Sequence, residues 1–244
     1  THDGQFINYD EIKKNYNVIS SGKIINKFIT YLKTHQLVPA LFFVFSRKEC
    51  ERLAKSLHIS LVNADEIGEI DKIFNYELRN HKKTYENSPQ FHMVHKLILK
   101  GIAFHHSGLI PILKEVIEIL FAKGLIKVLF ATETFAVGVN MPTKCVIFTE
   151  TKKFDSNCNG FRNLNTAEYL QMAGRAGRRG KDKEGTVIFL PLKDMNKPEE
   201  FKNMLTGSAV SIQSKLILNT KFLLKVVQTD DYNLNNFLDK SLLG

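Results

Sequence analysis

Five short apolar runs without polar alternation constrain this chain more than any other feature. They are Leu41-Phe-Phe-Val-Phe45, Gly101-Ile-Ala-Phe104, Lys127-Val-Leu-Phe-Ala131, Cys145-Val-Ile-Phe148 and Thr186-Val-Ile-Phe-Leu190. Aromatic and β-branched residues in unbroken runs suit strands covered on both faces. None of the runs approaches the ~18–20 apolar residues of a membrane span. Between them the period becomes helical. Gly22 to Gln36 sets Ile24, Ile25, Phe28, Ile29 and Leu32 on one face, and Arg47 to Leu57 directly follows the first run. Ile110 to Lys123 places Leu113, Val116, Ile117, Leu120 and Phe121 opposite Lys114, Glu115 and Glu118. Pro111 suits its first turn and Gly124 its C′ position. Asp65 to Lys100 predicts a long helical excursion, broken at Glu86-Asn-Ser-Pro89. This order predicts an α/β fold, a parallel sheet flanked by helices, with ligands at the carboxyl ends of the strands. Pro198 to Leu205 and Ser211 to Val227 read as helices with no strand between them, so the α/β domain is expected to end near residue 195.

Composition narrows the function classes. At roughly 100–200 residues per domain, 244 residues suggest one domain plus a fragment. A hydrophobic share of 43% excludes disorder over most of the length. Cys50, Cys145 and Cys158 show no paired metal spacing, which argues against a zinc site or a disulfide scaffold and for a reducing interior. The net charge of +9 fits either a polyanionic partner or a solvated basic surface. The polar start, Thr1-His-Asp-Gly4, has neither Met nor a basic-then-apolar leader, as expected of a segment of a longer protein.

Four segments carry candidate chemistry. Gln171-Met-Ala-Gly-Arg-Ala-Gly-Arg-Arg-Gly180 follows a helix start capped by Asn165 or Thr166. Arg175 and Arg178 are three apart, so on a helical turn they point the same way. Gly174 and Gly177 clear space beside them, which lets a phosphate meet two guanidinium forks. By itself the segment fits equally a flexible basic loop that binds nucleic acid loosely. Ala131-Thr-Glu-Thr-Phe-Ala-Val-Gly-Val-Asn-Met-Pro142 leaves a strand with hydroxyls at Thr132 and Thr134, groups suited to phosphate oxygens. By itself it is also an ordinary strand-to-helix turn. Ser46, before Arg47, can cap a helix whose free N–H groups attract an anion, and the segment fits equally a capped helix with solvated charges. His105 and His106 stand at a third strand end without the partners that a metal site requires, so hydrogen bonding at a loop is expected of them. No G-x-x-x-x-G-K-[ST] phosphate loop occurs, and no magnesium-binding acid pair follows an apolar strand.

In this order on one parallel sheet, the segments resemble the second RecA-like domain of superfamily-two helicases. Phe45-Ser46-Arg47 is similar to motif IV, Thr132 to Pro142 to motif V, and Gln171 to Gly180 to motif VI. Residues 101–142, GIAFHHSGLIPILKEVIEILFAKGLIKVLFATETFAVGVNMP, are very similar to the superkiller-type DExH-box RNA helicases that serve the RNA exosome. Ser214 to Val227 resembles the helices that open the family's winged-helix region. The resemblance implies three parts: residues 1–20 as the linker from a first RecA-like domain, 21–195 as the second, and 196–244 as the start of the winged-helix region.

It further implies an ATP-dependent RNA helicase that moves 3′-to-5′ on single-stranded RNA and unwinds duplexes for RNA decay or processing. Arg178 and Arg175 would be catalytic, Arg178 as the arginine finger. Gln171, Gly138, Asn140 and Gly174 would join them around the nucleotide. Ser46, Arg47, His106, Ser107, Thr132, Glu133 and Thr134 would contact RNA. No residue is implied as a metal ligand. ATP and Mg2+ would be held mainly by the first RecA-like domain, so this segment alone is expected to be inactive. Implied partners are single-stranded RNA, that first domain and RNA exosome components, with no membrane. The implied location is intracellular, nuclear or cytoplasmic.

Lys152-Lys-Phe-Asp-Ser-Asn-Cys-Asn-Gly160 departs from the family's shorter pattern, which has an Asp-Gly pair directly, so the family's contacts in this loop are not carried over. Two readings from other classes stand beside the motor: a non-catalytic RNA-binding module, and a helicase-like scaffold that docks proteins. A related DNA helicase is the alternative among enzymes.

Overall fold

Phenylalanine at successive strand positions decides how the layers stack. The computed structural model describes residues 21–138, 141, 143–155, 159–178, 180–192 and 197–207, with Thr220, Leu224 and Gln228. The apolar runs become β1 (Ala40–Phe43), β2 (Ile102–His105), β3 (Val128–Ala131), β4 (Cys145–Phe148) and β7 (Thr186–Phe189). All pair in parallel, in the order β2-β3-β1-β4-β7.

The register puts Phe104, Phe130, Phe42, Ile147 and Ile188 in one row. The next row, His105, Ala131, Phe43, Phe148 and Phe189, faces the opposite way, because side chains alternate along a strand. Phe42 and Phe130 lie 4.8 Å apart on one face, and Phe43 and Phe148 lie 5.6 Å apart on the other. Each fully buried ring contributes about 1.5–3 kcal/mol, more than the ~1 kcal/mol of a helix cap, so the two aromatic faces dominate the fold.

β1 to β4 are buried at every position. β7 corrects the expectation of cover on both faces. It is an edge strand, and Val187 is exposed.

The helices follow the apolar stripes. They are α1 (Ser21–Thr34), α2 (Arg47–Lys55), α3 (Ala64–Glu77), α4 (Lys82–Tyr85), α5 (Pro89–Ile98), α6 (Pro111–Ala122), α7 (Thr134–Gly138), α8 (Thr166–Ala173) and α9 (Pro198–Thr206). Asn63 and Asn165 start α3 and α8 with reciprocal capping boxes. Pro111 stands in the first turn of α6, and Gly124 ends it with φ +74. α9 packs on the sheet-bearing part, with Phe201 4.6 Å from Phe189. Thr166 donates from its hydroxyl to the Asn203 carbonyl at 3.0 Å.

The stretch expected as a loop at 152–160 is instead part of a two-stranded antiparallel hairpin, β5 (Lys152–Asp155) and β6 (Gly160–Asn163). Asn159 takes φ 46 at its turn. Alternation is weak here because two lysines and an arginine share the strands with Phe154 and Phe161, so the period-2 signal is lost.

The chain divides into two units, Thr1–Gly207 and Ser208–Gly244, and the sheet belongs to the first. The expected linker 1–20 lies outside the described residues, as does the helix Ser211 to Val227 except at Thr220 and Leu224.

Candidate functional site

The parallel register aligns three neighbouring strand ends. His105, Ala131 and Phe43 stand level, so the segments that follow β2, β3 and β1 emerge side by side. Ser46 follows β1 in an extended conformation and accepts a hydrogen bond from the Glu49 amide at 3.4 Å, capping α2. Arg47 is exposed, close to Gly108, where an added Cβ would lie 3.6 Å from Arg47 Cδ. Ser107 is exposed too. Thr132 is buried, with its hydroxyl 3.0 Å from that of exposed Thr134. Its amide donates to the His105 carbonyl at 3.2 Å. Glu133 is half-buried between them. Burial, with Glu133, Glu150 and Glu51 nearby, pushes the Cys50 thiol up, so carboxylates back this edge. The hydroxyls and Arg47 are therefore the groups it offers to a phosphate backbone.

The histidines are built inward. His106 is 2% exposed. Its Nδ1 accepts from the Gly108 amide at 3.1 Å, which leaves Nε2–H to donate to Glu51 at 3.2 Å. Both nitrogens are thus occupied, and the ring has none left for RNA. His106, expected among the RNA-contacting residues, spends both ring nitrogens on shaping its own loop. His105 Nε2 bonds Glu118 at 2.7 Å, while its buried Nδ1 has no partner among the described residues. Burial lowers the pKa of both rings, against the opposing pull of Glu118 and Glu51.

Arg175 and Arg178 stand elsewhere. The expectation that they share a helical turn is corrected: α8 stops at Ala173 with Gly174 as its cap. Thr143, just before β4, then forms a parallel bridge to Ala176. It donates to the Arg175 carbonyl and accepts from the Gly177 amide, both at 2.8 Å. The arginine turn therefore sits at the amino end of β4, away from Ser46 and Thr132. Gly177, between the two arginines, has φ +89, a conformation outside the right-handed helix. Arg175 donates to the Ala136 carbonyl in α7. Arg178 donates from Nε to Asp182 Oδ2 at 2.7 Å and from Nη2 to Oδ1 at 2.9 Å. That pair holds the Asp182 carboxyl down at about 2.

Gln171 is exposed on α8. Gly138 ends α7, and Asn140 lies outside the described residues. The structure thus makes two clusters, one at each end of the strands, and α7 joins them. The helix begins beside Thr132, and its Ala136 carbonyl receives Arg175.

A third feature went unread in the sequence. Arg162 on β6 bonds Asp155 at 2.5 Å and Glu168 through two nitrogens at 2.8 Å. Lys153 adds a contact to Glu168 at 2.7 Å. Burial opposes ionisation of Glu168, but Arg162, Lys153 and the Asn165 amide outweigh it and hold the carboxyl at about 2. The hairpin is thereby clamped to the start of α8, and Phe154 and Phe161 pair exposed on it, 5.7 Å apart. Glu51, Glu118 and Asp182 were also missed. Only Asp182 left a signal, its i,i+4 spacing from Arg178. Among the described residues no group of three or more His, Cys, Asp or Glu could hold a metal ion.

Residues 65–180 match the helicase conserved C-terminal domain. The chain is 43% identical over 89% of its length to the DExH-box ATP-dependent RNA helicase DExH9 of Arabidopsis thaliana. It is 42% identical over 86% of its length to the antiviral helicase SKI2 of Saccharomyces cerevisiae. It is 40% identical over 88% of its length to the exosome RNA helicase MTR4 of Homo sapiens. The chain spans 22%, 16% and 20% of those three relatives, respectively.

Proposed function

The chain carries a helicase conserved C-terminal domain of the superkiller DExH-box type, and on that premise we propose that it is the second RecA-like half of an ATP-dependent RNA helicase. One observation carries the mechanism. Arg175 is hydrogen-bonded to Ala136 in the short helix α7, which begins at Thr134, two residues after Thr132. Groups suited to phosphates of a nucleotide and groups suited to an RNA backbone are therefore linked through one short helix.

ATP fits the arginine turn. Arg178 Nη1 is without a hydrogen-bond partner among the described residues, and the side chain is 29% exposed. Magnesium finds no ligand set among the described residues. The phosphate loop and the metal-binding acids belong to a first RecA-like domain. Arg175 and Arg178 would gain their phosphate contacts only when the two domains close. Differential contact of this kind shifts the equilibrium toward the closed state, and loss of the γ-phosphate releases it. Ser46, Arg47, Ser107, Thr132 and Thr134 would hold the RNA backbone, with Glu133 as an acceptor for a 2′-hydroxyl. Each cycle would move the strand 3′-to-5′ and feed RNA decay or processing, with RNA exosome components as partners.

The test is ATP turnover by the natural-length protein, with and without single-stranded RNA. Arg178→Ala should lower it by roughly 10³-fold or more. The 244-residue chain alone, as a control, should show none. A drop of less than about tenfold in Arg178→Ala would remove the finger assignment. RNA-independent silence of a well-folded natural protein would favour the scaffold.

A further inference from the structure

The Arg178 pair is one-sided, and the side matters. A guanidinium has two edges that can receive a bidentate acceptor: Nε with one terminal nitrogen, or the two terminal nitrogens together. Asp182 occupies the first edge, at 2.7 and 2.9 Å. It leaves Nη1 without a hydrogen bond among the described residues. The same Asp182 Oδ2 also accepts from the Arg178 backbone amide at 3.0 Å. The amides of Lys181 and Asp182 in turn donate to the Arg178 carbonyl, both at 2.9 Å. Backbone and side chain of Arg178 are thus fixed by one carboxylate.

The frame beneath is stiff. Thr143 pins the turn from one side through its two 2.8 Å bonds. Gly185 closes it from another, with no room for a Cβ beside the Ala176 carbonyl, which would stand 2.5 Å away. The carboxylate is sequestered, with its side chain 7% exposed, while the Arg178 side chain is 29% exposed. A largely covered acceptor beside a partly exposed fork is an arrangement that fixes which edge of the fork stays free.

We infer that Asp182 is a positioning residue: it holds the Arg178 guanidinium by its Nε edge and presents Nη1 to a phosphate oxygen of the nucleotide. This rests on the reading of Arg178 as the phosphate-facing arginine. A flexible arginine would have to be ordered at each turnover. Here the ordering is done in advance, which is how positioned groups raise kcat and not substrate affinity. A carboxylate acting as a latch would also cover the terminal edge and leave a phosphate neither. The geometry is the opposite.

The experiment is a double-mutant cycle in the natural-length protein, read as RNA-saturated ATP turnover. Asp182→Ala should lower kcat by about 10- to 100-fold and leave the KM for ATP unchanged. Asp182→Asn keeps one acceptor oxygen and should fall between. Arg178→Ala should be lower still, by roughly 10³-fold, and adding Asp182→Ala to it should cost nothing more. A further loss in the double variant would mean that Asp182 acts by another route and would overturn the inference. Unchanged or faster turnover in Asp182→Ala, with Arg178→Ala impaired, would overturn it while sparing the finger. Normal turnover in Arg178→Ala would sink the finger and the inference together. If Asp182→Ala fails to fold, Asp182→Asn completes the same cycle.

Discussion

Gly185→Ala perturbs the arginine turn without touching an arginine. Gly185 leads into β7 and faces the backbone of the turn. A Cβ there would meet the Ala176 carbonyl oxygen at 2.5 Å, its carbon at 2.6 Å and the Gly177 nitrogen at 2.9 Å. Real Cβ contacts essentially never fall under 3.0 Å, so the oxygen must retreat by at least 0.5 Å. All three atoms are backbone, so no rotamer change relieves the clash. Ala176 is bracketed by the Thr143 bonds, both 2.8 Å, and a shift of that size stretches them toward the limit of a useful hydrogen bond.

Overpacking of this kind costs about 1–3 kcal/mol. The larger effect is on chemistry, because a misplacement of about 1 Å can cost 10²-fold in rate. Gly185→Ala should therefore lower RNA-saturated turnover of the natural-length protein by roughly 10-fold or more. Denaturant melts of the 244-residue chain should show the stability loss. Gly68→Ala is the control. It lies inside α3 with nothing within 4 Å, and should add about 0.5–1 kcal/mol. Full turnover by a folded Gly185→Ala protein would refute the reasoning, since the turn would then not be held by β7.

Two further outcomes rest on other contacts. Thr132→Val removes the hydroxyl 3.0 Å from Thr134, and RNA stimulation of turnover should weaken while stability changes by about 1 kcal/mol or less; an unfolded variant would make Thr132 purely structural. Acid should destabilise the chain in two stages. His105 and His106 have pKa values lowered by burial, so the unfolded state binds protons first and stability falls as pH drops below about 6.5. Glu168 and Asp182 sit at about 2 against ordinary values of 4.5 and 3.8, so their contribution is complete above those values and is lost as pH falls toward 2. A melting midpoint that rises between pH 7 and 5 would contradict the buried neutral imidazoles.

What the sequence by itself determined is the sheet and its order of elements. Phe42, Phe43, Phe104, Phe130 and Phe148 sit in short apolar runs that read as buried strands, and Pro111, Gly124 and Ser46 mark helix ends by local chemistry, while the choice of Asn165 over Thr166 as a cap came from the structure. Local signals of this kind are complete within a few residues. The resemblance in residues 101–142 reached further, to the family, because a motif set is also read along the chain.

What only the tertiary structure decided is which residues meet. Thr143 and Ala176, Arg175 and Ala136, and His106 and Glu51 are each separated by dozens of residues, and no period or spacing encodes those pairs. The arginine turn at the amino end of β4 was hidden for the same reason: α8 stops at Ala173, before either arginine, and the helical spacing that the sequence suggested is not kept. Burial, too, is collective. His106 has the composition of a surface ligand residue, and its place under a loop that closes on Glu51 comes from packing. The edge position of β7 depends on strand order, which an apolar run cannot state about itself.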